Sequence, residues 1–369
     1  MDFTLPAYRE PDFSTPALRD APPARFEPAP AHGVAPDNYH ATSIFPEYVH
    51  LWPGHWVLPR QSRMDCVFVR EGDEVSVREF RNLCQGDPVA VGRGEDGEDG
   101  IFVHTDGFAQ TPGEAGKFSF RQHVSRESAF SVDYDELYGL LRFEREHGNI
   151  VWVLGPAVVF DFDARSAFVS LVRHGFVHAV LAGNALAVHD IEASRFGSAL
   201  GQHIYSRQGQ PLGHYNHLDV INAVRGAGSI AAAIDGGLVA DGVLHALHLA
   251  GVPYVLAGSI RDDGPLPETI EGAYLAQDRM RAVTGQATTV IALATQLHSI
   301  ATGNLTPSYA VRGGRVRPVY FYCVDMSDFV TTKLANRGSL GARGMLTNVQ
   351  DFLVTVDRGL NGCPAAPRK

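Results

Sequence analysis

Apolar residues recur with two different periods along this chain. Between about residues 41 and 130 the period is two: CVFVREGDEVSVREF sets apolar side chains at alternate positions around a Gly-Asp turn. That pattern predicts paired strands with one buried face. PVAVG and GIFVHT flank GRGEDGEDG and predict a second hairpin. The acids at its tip, Glu95, Asp96, Glu98 and Asp99, miss the spacing of a calcium loop and suit a solvated turn. DYDELYGLLRFEREH, Asp133 to His147, then carries a helical period and stops at Gly148, a good C-cap.

Beyond Gly148 the texture changes. Short apolar runs, NIVWVLG, FVHAVLAG, VPYVLAG, TTVIALA, VYFYCVD and RGMLT, alternate with helical stretches near 163–174, 216–226, 229–250, 269–283, 297–304, 327–337 and 348–358. Apolar strands separated by helices predict an α/β fold with a mostly parallel sheet covered on both faces. Eight prolines between Pro6 and Pro36 predict an extended arm over a neighbouring domain or subunit, or a mobile one. The expected organisation is therefore an arm at 1–40, a β-rich domain at 41–135 and the α/β domain at 136–369.

Ligands of open parallel sheets bind outside the carboxyl ends of the strands. There the sequence sets Gly155-Pro156, Asn184 and Ala185 with His189, Asp190 and Glu192 beyond, the run Ser259 to Gly264, Thr295 to Ser299, Asp325, and Asn348. TTVIALA, the helix from Gln296 and VYFYCVD form a βαβ element whose second strand ends in Asp325. An acid there accepts the two hydroxyls of an adenosine ribose and favours NAD over NADP; the alternative is a structural acid capping the next helix. The helix N-terminus would face a pyrophosphate with free N–H groups, although the turn is ATQLHS and no G-x-G-x-x-G precedes it.

The loop SIRDDGPLP places Arg261 beside Asp262 and Asp263. An amino acid substrate needs a cation for its carboxylate and an acid for its ammonium; the alternative is a loop whose charges satisfy one another. Histidine pairs at His174/His178, His214/His217 and His245/His248 form no H-E-x-x-H motif, so no metal is expected. His214 and His217 are the better pocket candidates of these, and His298 could touch a cofactor or move protons.

Composition narrows the class. Hydrophobic residues make up 45% and charged residues 20% of the chain, an ordinary globular balance. A net charge of −10 disfavours nucleic acid. Lysine occurs at Lys117, Lys333 and Lys369, so a Schiff base has few possible sites. Cys66, Cys84, Cys323 and Cys363 are widely spaced and fit a reduced compartment. With no apolar run of membrane-spanning length and a start unlike a signal peptide, the cytoplasm is expected, without membrane partners.

The stretches AGNALAVHDIE, GHYNHLDVINAVRGAGSI, VLAGSIRDDGPLPE, LATQLHSIATGN and CVDMSDFVTTKLANRGS give the chain, from about 150 to 357, a specific family likeness. It resembles the archaeal-type ornithine cyclodeaminases, also found as the C-terminal part of cyanobacterial arginine dihydrolase/ornithine cyclodeaminases and related to LOR/SDH proteins. The resemblance implies a Rossmann-like, deoxyhypusine synthase-like fold that binds NAD, and a homo-oligomer (dimer or tetramer). The implied dinucleotide contacts are Asn184, Ala185, Asp235, Thr295, Gln296, Leu297, His298, Asp325, Asn348 and Val349. The implied reaction converts L-ornithine to L-proline and ammonia, with a hydride leaving Cα and returning to the cyclic imine. Arg261 would clamp the carboxylate, and His298, Asp262, Asp263 and Asp235 are candidate bases. The chain departs from the family at Gln296, where methionine is expected, at Met326-Ser327, where Asn-Pro is usual, and at Asn348, where aspartate is frequent. These departures leave open another diamino acid, an amino acid dehydrogenase, or a non-catalytic NAD-binding subunit.

Overall fold

The computed structural model describes residues 3–108, 130–262, 264–326 and 341–362. The β-rich region contains β1 (Arg25–Pro28), β2 (Glu47–Trp52), β3 (His55–Val57), β4 (Gln61–Ser62), β5 (Val67–Glu71), β6 (Glu74–Arg78), β7 (Pro88–Val91) and β8 (Ile101–Val103). An antiparallel sheet of order β1-β7-β5-β6 packs on a second of order β3-β2-β8, enclosing Phe68, Val49, Ala90 and Ile101. The β5–β6 hairpin turns at Gly72-Asp73, as the alternation predicts. The hairpin expected at GRGEDGEDG does not form, because β7 and β8 join different sheets. Its acids instead close the loop on itself: Asp99 accepts from Gly94 N–H and Glu98 from Asp96 N–H.

The proline-rich segment is partly structured. β1 lies within it and pairs with β7, Phe13 stacks on Trp56, and Phe3 meets Phe143 and Tyr320. Its rings thus touch both the β-rich region and the parallel sheet. A short hairpin of β11 (Ser198–Ala199) and β12 (Gln202–His203) stands apart, and a later one, β16 (Tyr309–Arg312) and β17 (Arg315–Pro318), pairs back with β4 through β16.

The parallel sheet comprises β9 (Ile150–Leu154), β10 (Ala179–Gly183), β13 (Tyr254–Ala257), β14 (Thr269–Ile270), β15 (Thr289–Leu293), β18 (Tyr320–Asp325) and β19 (Gly341–Leu346). Its order is β14-β13-β10-β9-β15-β18-β19, and every pairing is parallel. The apolar runs are continuous because both faces are buried. In β9, Ile150, Trp152 and Leu154 enter one core while Val151 and Val153 enter the other. Helices Phe130–His147, Phe162–Arg173, Val243–Ala250 and Val349–Asn361 cover the first face; Ala273–Thr284 and Gln296–Leu305 cover the second. Burying a ring such as Phe168, edge-on to Trp152 at 5.4 Å, contributes roughly 1.5–3 kcal/mol. Among the described residues, no helix is long and apolar enough to cross a membrane.

Three local departures from the sequence pattern have physical causes. The helix expected over 229–250 is two, Ile230–Asp235 and Val243–Ala250, parted where Gly237 takes φ +76°. The stretch expected to be helical from 269 first supplies edge strand β14, and the helix begins at Ala273. Asn184–Phe196 is a helix that the pattern did not suggest. Its polar residues Asn184, His189, Asp190 and Glu192 are buried, so no solvent-facing stripe marks it. The helical stretch expected at 327–337 lies outside the described residues.

Candidate active site

At β9 the order in which strands are added reverses: β10 and β13 lie to one side, β15 and β18 to the other. The crevice at the carboxyl ends of β9 and β15 is therefore the topological switch point, where such sheets hold ligands. The two strand ends are pinned there by Gly155 N–H donating to Leu293 O at 2.8 Å. A Cβ on Gly155 would lie 2.0 Å from Ala294 O, so only glycine permits this approach. Ala294 itself takes φ +51°, which costs a non-glycine residue about 1–2 kcal/mol. That turn delivers the chain into helix Gln296–Leu305, whose N-cap Thr295 makes no side-chain cap bond. Thr295 thus leaves the first amides of the helix uncapped by its own side chain at the sheet edge, a setting suited to an anionic group.

Across the crevice, the end of β10 and the loop after β13 meet. Asn184 Nδ2 reaches Asp262 Oδ1 at 3.5 Å, and Ser259 N–H donates to Asp262 Oδ2 at 2.7 Å. His298 stands over Gly183, where an added Cβ would lie 2.9 Å from its Cε1. Burial holds the His298 imidazole below its usual pKa; the Asp262 charge opposes that shift and the Arg261 charge adds to it. Asn184, Arg261, Asp262 and His298 are thus brought together from three strand ends. Arg261 is exposed, as is Ile260 at the loop tip. Asp263 lies outside the described residues.

The remaining residues singled out for a dinucleotide sort into two groups. Ala185, Thr295, Gln296, Leu297, Asp325, Asn348 and Val349 all occupy the carboxyl edge. Asp325 closes β18, next to Ala294, whose N–H donates to Val324 O at 3.2 Å. Asn348 caps helix Val349–Asn361 by accepting from Gln350 N–H at 2.8 Å, and Val349 is buried in the core. For these two, any ligand contact falls to the backbone or to the part of Asn348 not engaged in capping.

Asp235 is placed elsewhere. Its carboxylate is exposed and pairs with His248 Nε2 at 3.0 Å. His248 belongs to the last turn of the helix that returns the chain to the start of β13, so the pair sits toward the opposite edge. Its place in AIDGG gave no hint of this, because the pairing depends on the path after Gly236-Gly237 that brings helix Val243–Ala250 and His248 back beside it. His214 is exposed and meets Tyr215 with its ring tilted at 41°, and the His217 ring lies 6.4 Å from that of His189, so neither is tied to the His298 cluster by a described contact.

Two buried acids beside the site are structural. Asp190 accepts from Arg165 Nε at 2.7 Å and from Val243 N–H and Leu244 N–H, capping helix Val243–Ala250. Glu192 accepts from His189, Ser198 and Gly201 N–H; burial pushes its carboxyl up, but these bonds outweigh it and hold the carboxyl low.

The strand order about β9 and the helix that opens at the crevice define a Rossmann-type α/β protein of the dinucleotide-binding kind. A model of the Rossmann fold of ArgZ-like arginine dihydrolase C-terminal domains matches residues 138–356. The chain belongs to this family, which it shares with the archaeal ornithine cyclodeaminases. It is 38% identical over 332 residues to the ornithine cyclodeaminase of Methanopyrus kandleri, covering 89% of this chain and 76% of that one. It is 37% identical over 335 residues to the bifunctional arginine dihydrolase/ornithine cyclodeaminase ArgZ of Synechocystis, covering 89% of this chain but 45% of that longer one. Among solved structures, a conserved LOR/SDH protein of Methanococcus maripaludis superposes with TM-score 0.80 at 32% identity, covering 93% and 98% of the two chains. AgrE in ternary complex with ornithine and NAD+ superposes with TM-score 0.57 at 32% identity, covering 93% of this chain and 46% of AgrE.

Proposed function

We propose that this chain is an NAD-dependent ornithine cyclodeaminase that converts L-ornithine to L-proline and ammonia. The carrying observation is the meeting of Asp262, Asn184 and a half-buried His298 at the start of helix Gln296–Leu305, which Thr295 does not cap. The ternary complex of AgrE with ornithine and NAD+ supports the same pair of ligands here.

The crevice suits a dinucleotide on its own chemistry. The amides of Gln296, Leu297 and His298, which Thr295 does not cap, would take the pyrophosphate, and the Asp325 carboxylate the ribose hydroxyls. Asn184, Ala185, Thr295, Asn348 and Val349 line the same edge. When bound, NAD supplies a reversible acceptor for the hydride at the substrate Cα.

The protein's own groups prepare the amino acid for that step. Arg261, exposed at the loop, binds the α-carboxylate. Asp262 draws in an ammonium group. Burial favours the neutral form of His298, so its free nitrogen can take a proton from the α-ammonium and leave the amine lone pair available. The same imidazolium can return the proton to departing ammonia. Overall, one ornithine gives one proline and one ammonia with no net oxidation.

Incubation with L-ornithine or L-lysine at NAD far below substrate concentration, read by mass spectrometry, tests the proposal. Proline and ammonia should form together in amounts well beyond the NAD supplied. Absence of proline, or NADH accumulating one-for-one with product, would overturn it in favour of another diamino acid or a dehydrogenase. Arg261→Ala should raise the ornithine KM roughly 10–100-fold, the loss of one charge-assisted contact.

A further inference from the structure

Asn184 is engaged with the protein more fully than a cofactor contact requires. Its Oδ1 accepts from Leu266 N–H at 3.0 Å and from Thr269 Oγ1–H at 3.1 Å, filling both lone pairs. Its Nδ2 is turned to Asp262 Oδ1 at 3.5 Å, a long bond that ligand binding can tighten. Asp262 lies on the outgoing limb of the loop that leaves β13, while Leu266 and Thr269 lie on the limb that returns into β14. One carboxamide, 7% exposed, therefore ties the two limbs together at their base. The tip, with Ile260 and Arg261, stays open to solvent.

We propose that Asn184 is a positioning residue that holds the Asp262 carboxylate beside His298, and that this, more than contact with NAD, is its part in the reaction. The inference rests on the cyclodeaminase reading for its kinetic consequence, but not for its structural one. The Asp262 charge raises the His298 imidazole against burial, so a displaced Asp262 should shift the His298 titration. Asn184→Asp is the sharper probe. It keeps an acceptor for Leu266 and Thr269, removes the donor to Asp262 and sets a second carboxylate beside it.

The test is an NMR titration of the His298 ring in the unliganded protein, assigned with His298→Gln, together with steady-state kinetics and NAD titration. In Asn184→Ala the His298 pKa should fall below the wild-type value. In Asn184→Asp it should rise, carrying the acid limb of kcat with it. In both, kcat should drop about 10–100-fold, as expected of a displaced catalytic group, with NAD affinity within about twofold. A His298 titration identical in all three proteins would overturn the inference. So would a tenfold or greater loss of NAD affinity with kcat unchanged at saturating NAD, which would make Asn184 a cofactor contact. If wild type makes no proline, the reaction proposal fails while the His298 titration still decides this one.

Discussion

Replacing Gly155 by alanine puts a methyl 2.0 Å from Ala294 O, 2.7 Å from Ala294 C and 3.2 Å from Leu293 O. Carbon needs more than 3 Å from each, and all three are backbone atoms that no rotamer change can move. The ends of β9 and β15 must separate by more than 1 Å, on the order of the overlap, and the Gly155 N–H bond to Leu293 O lengthens with them. Overpacking costs about 1–3 kcal/mol and a weakened buried hydrogen bond roughly 0.5–1.5 more, so about 1.5–4.5 kcal/mol of stability should be lost. The same movement shifts the start of helix Gln296–Leu305, so NAD affinity should fall about tenfold or more in whatever protein remains folded, some 1.4 kcal/mol. Urea unfolding and NAD titration read the two effects. Gly226→Ala is the control: it is helical, exposed and has no atom within 4 Å of the added carbon, so it should stabilise by about 0.5–1 kcal/mol. Equal unfolding midpoints for wild type and Gly155→Ala, with unchanged NAD affinity, would refute the close-approach argument.

Asp190→Ala strands a buried Arg165 and two helix N–H groups, so urea unfolding should show about 3–5 kcal/mol lost; a loss under 1 kcal/mol would mean that Asp241 alone suffices as partner. His298 is held below the usual 6.5, so its stabilising contribution is whole above about pH 6.5 and is lost as pH falls toward its folded value. The acid limb of the pH–rate profile should accordingly lie below 6.5. His298→Gln should abolish that limb and lower kcat about 10²–10⁴-fold; a limb unchanged in the variant would reassign the base.

Much of the fold was legible as pattern. The apolar runs at Ile150, Ala179, Tyr254, Thr289 and Tyr320 each became a parallel strand, because burial on both faces demands unbroken apolar residues. The strand-end rule also led to Asn184, Arg261, Asp262, His298 and Asp325, since the ends of parallel strands must share one edge. Helix Asn184–Phe196 escaped notice because its polar residues face inward, to Arg165, Ser198 and the loop after β13, and so mimic a polar turn. Asp235 fitted a motif, yet after the turn at Gly237 the chain brings His248 back to it.

What the sequence settled by itself was local and periodic: which segments are strands or helices, and that a parallel α/β sheet follows a β-rich region. It did so because side-chain burial repeats with the geometry of each element. Only the tertiary structure decided how those ends meet. The contact of Gly155 with Ala294, the two limbs joined by Asn184 and the burial of His298 beside Asp262 all join residues distant in sequence. Such contacts depend on strand order and loop path, and a desolvated imidazole or a fully used carboxamide exists only once its neighbours have arrived.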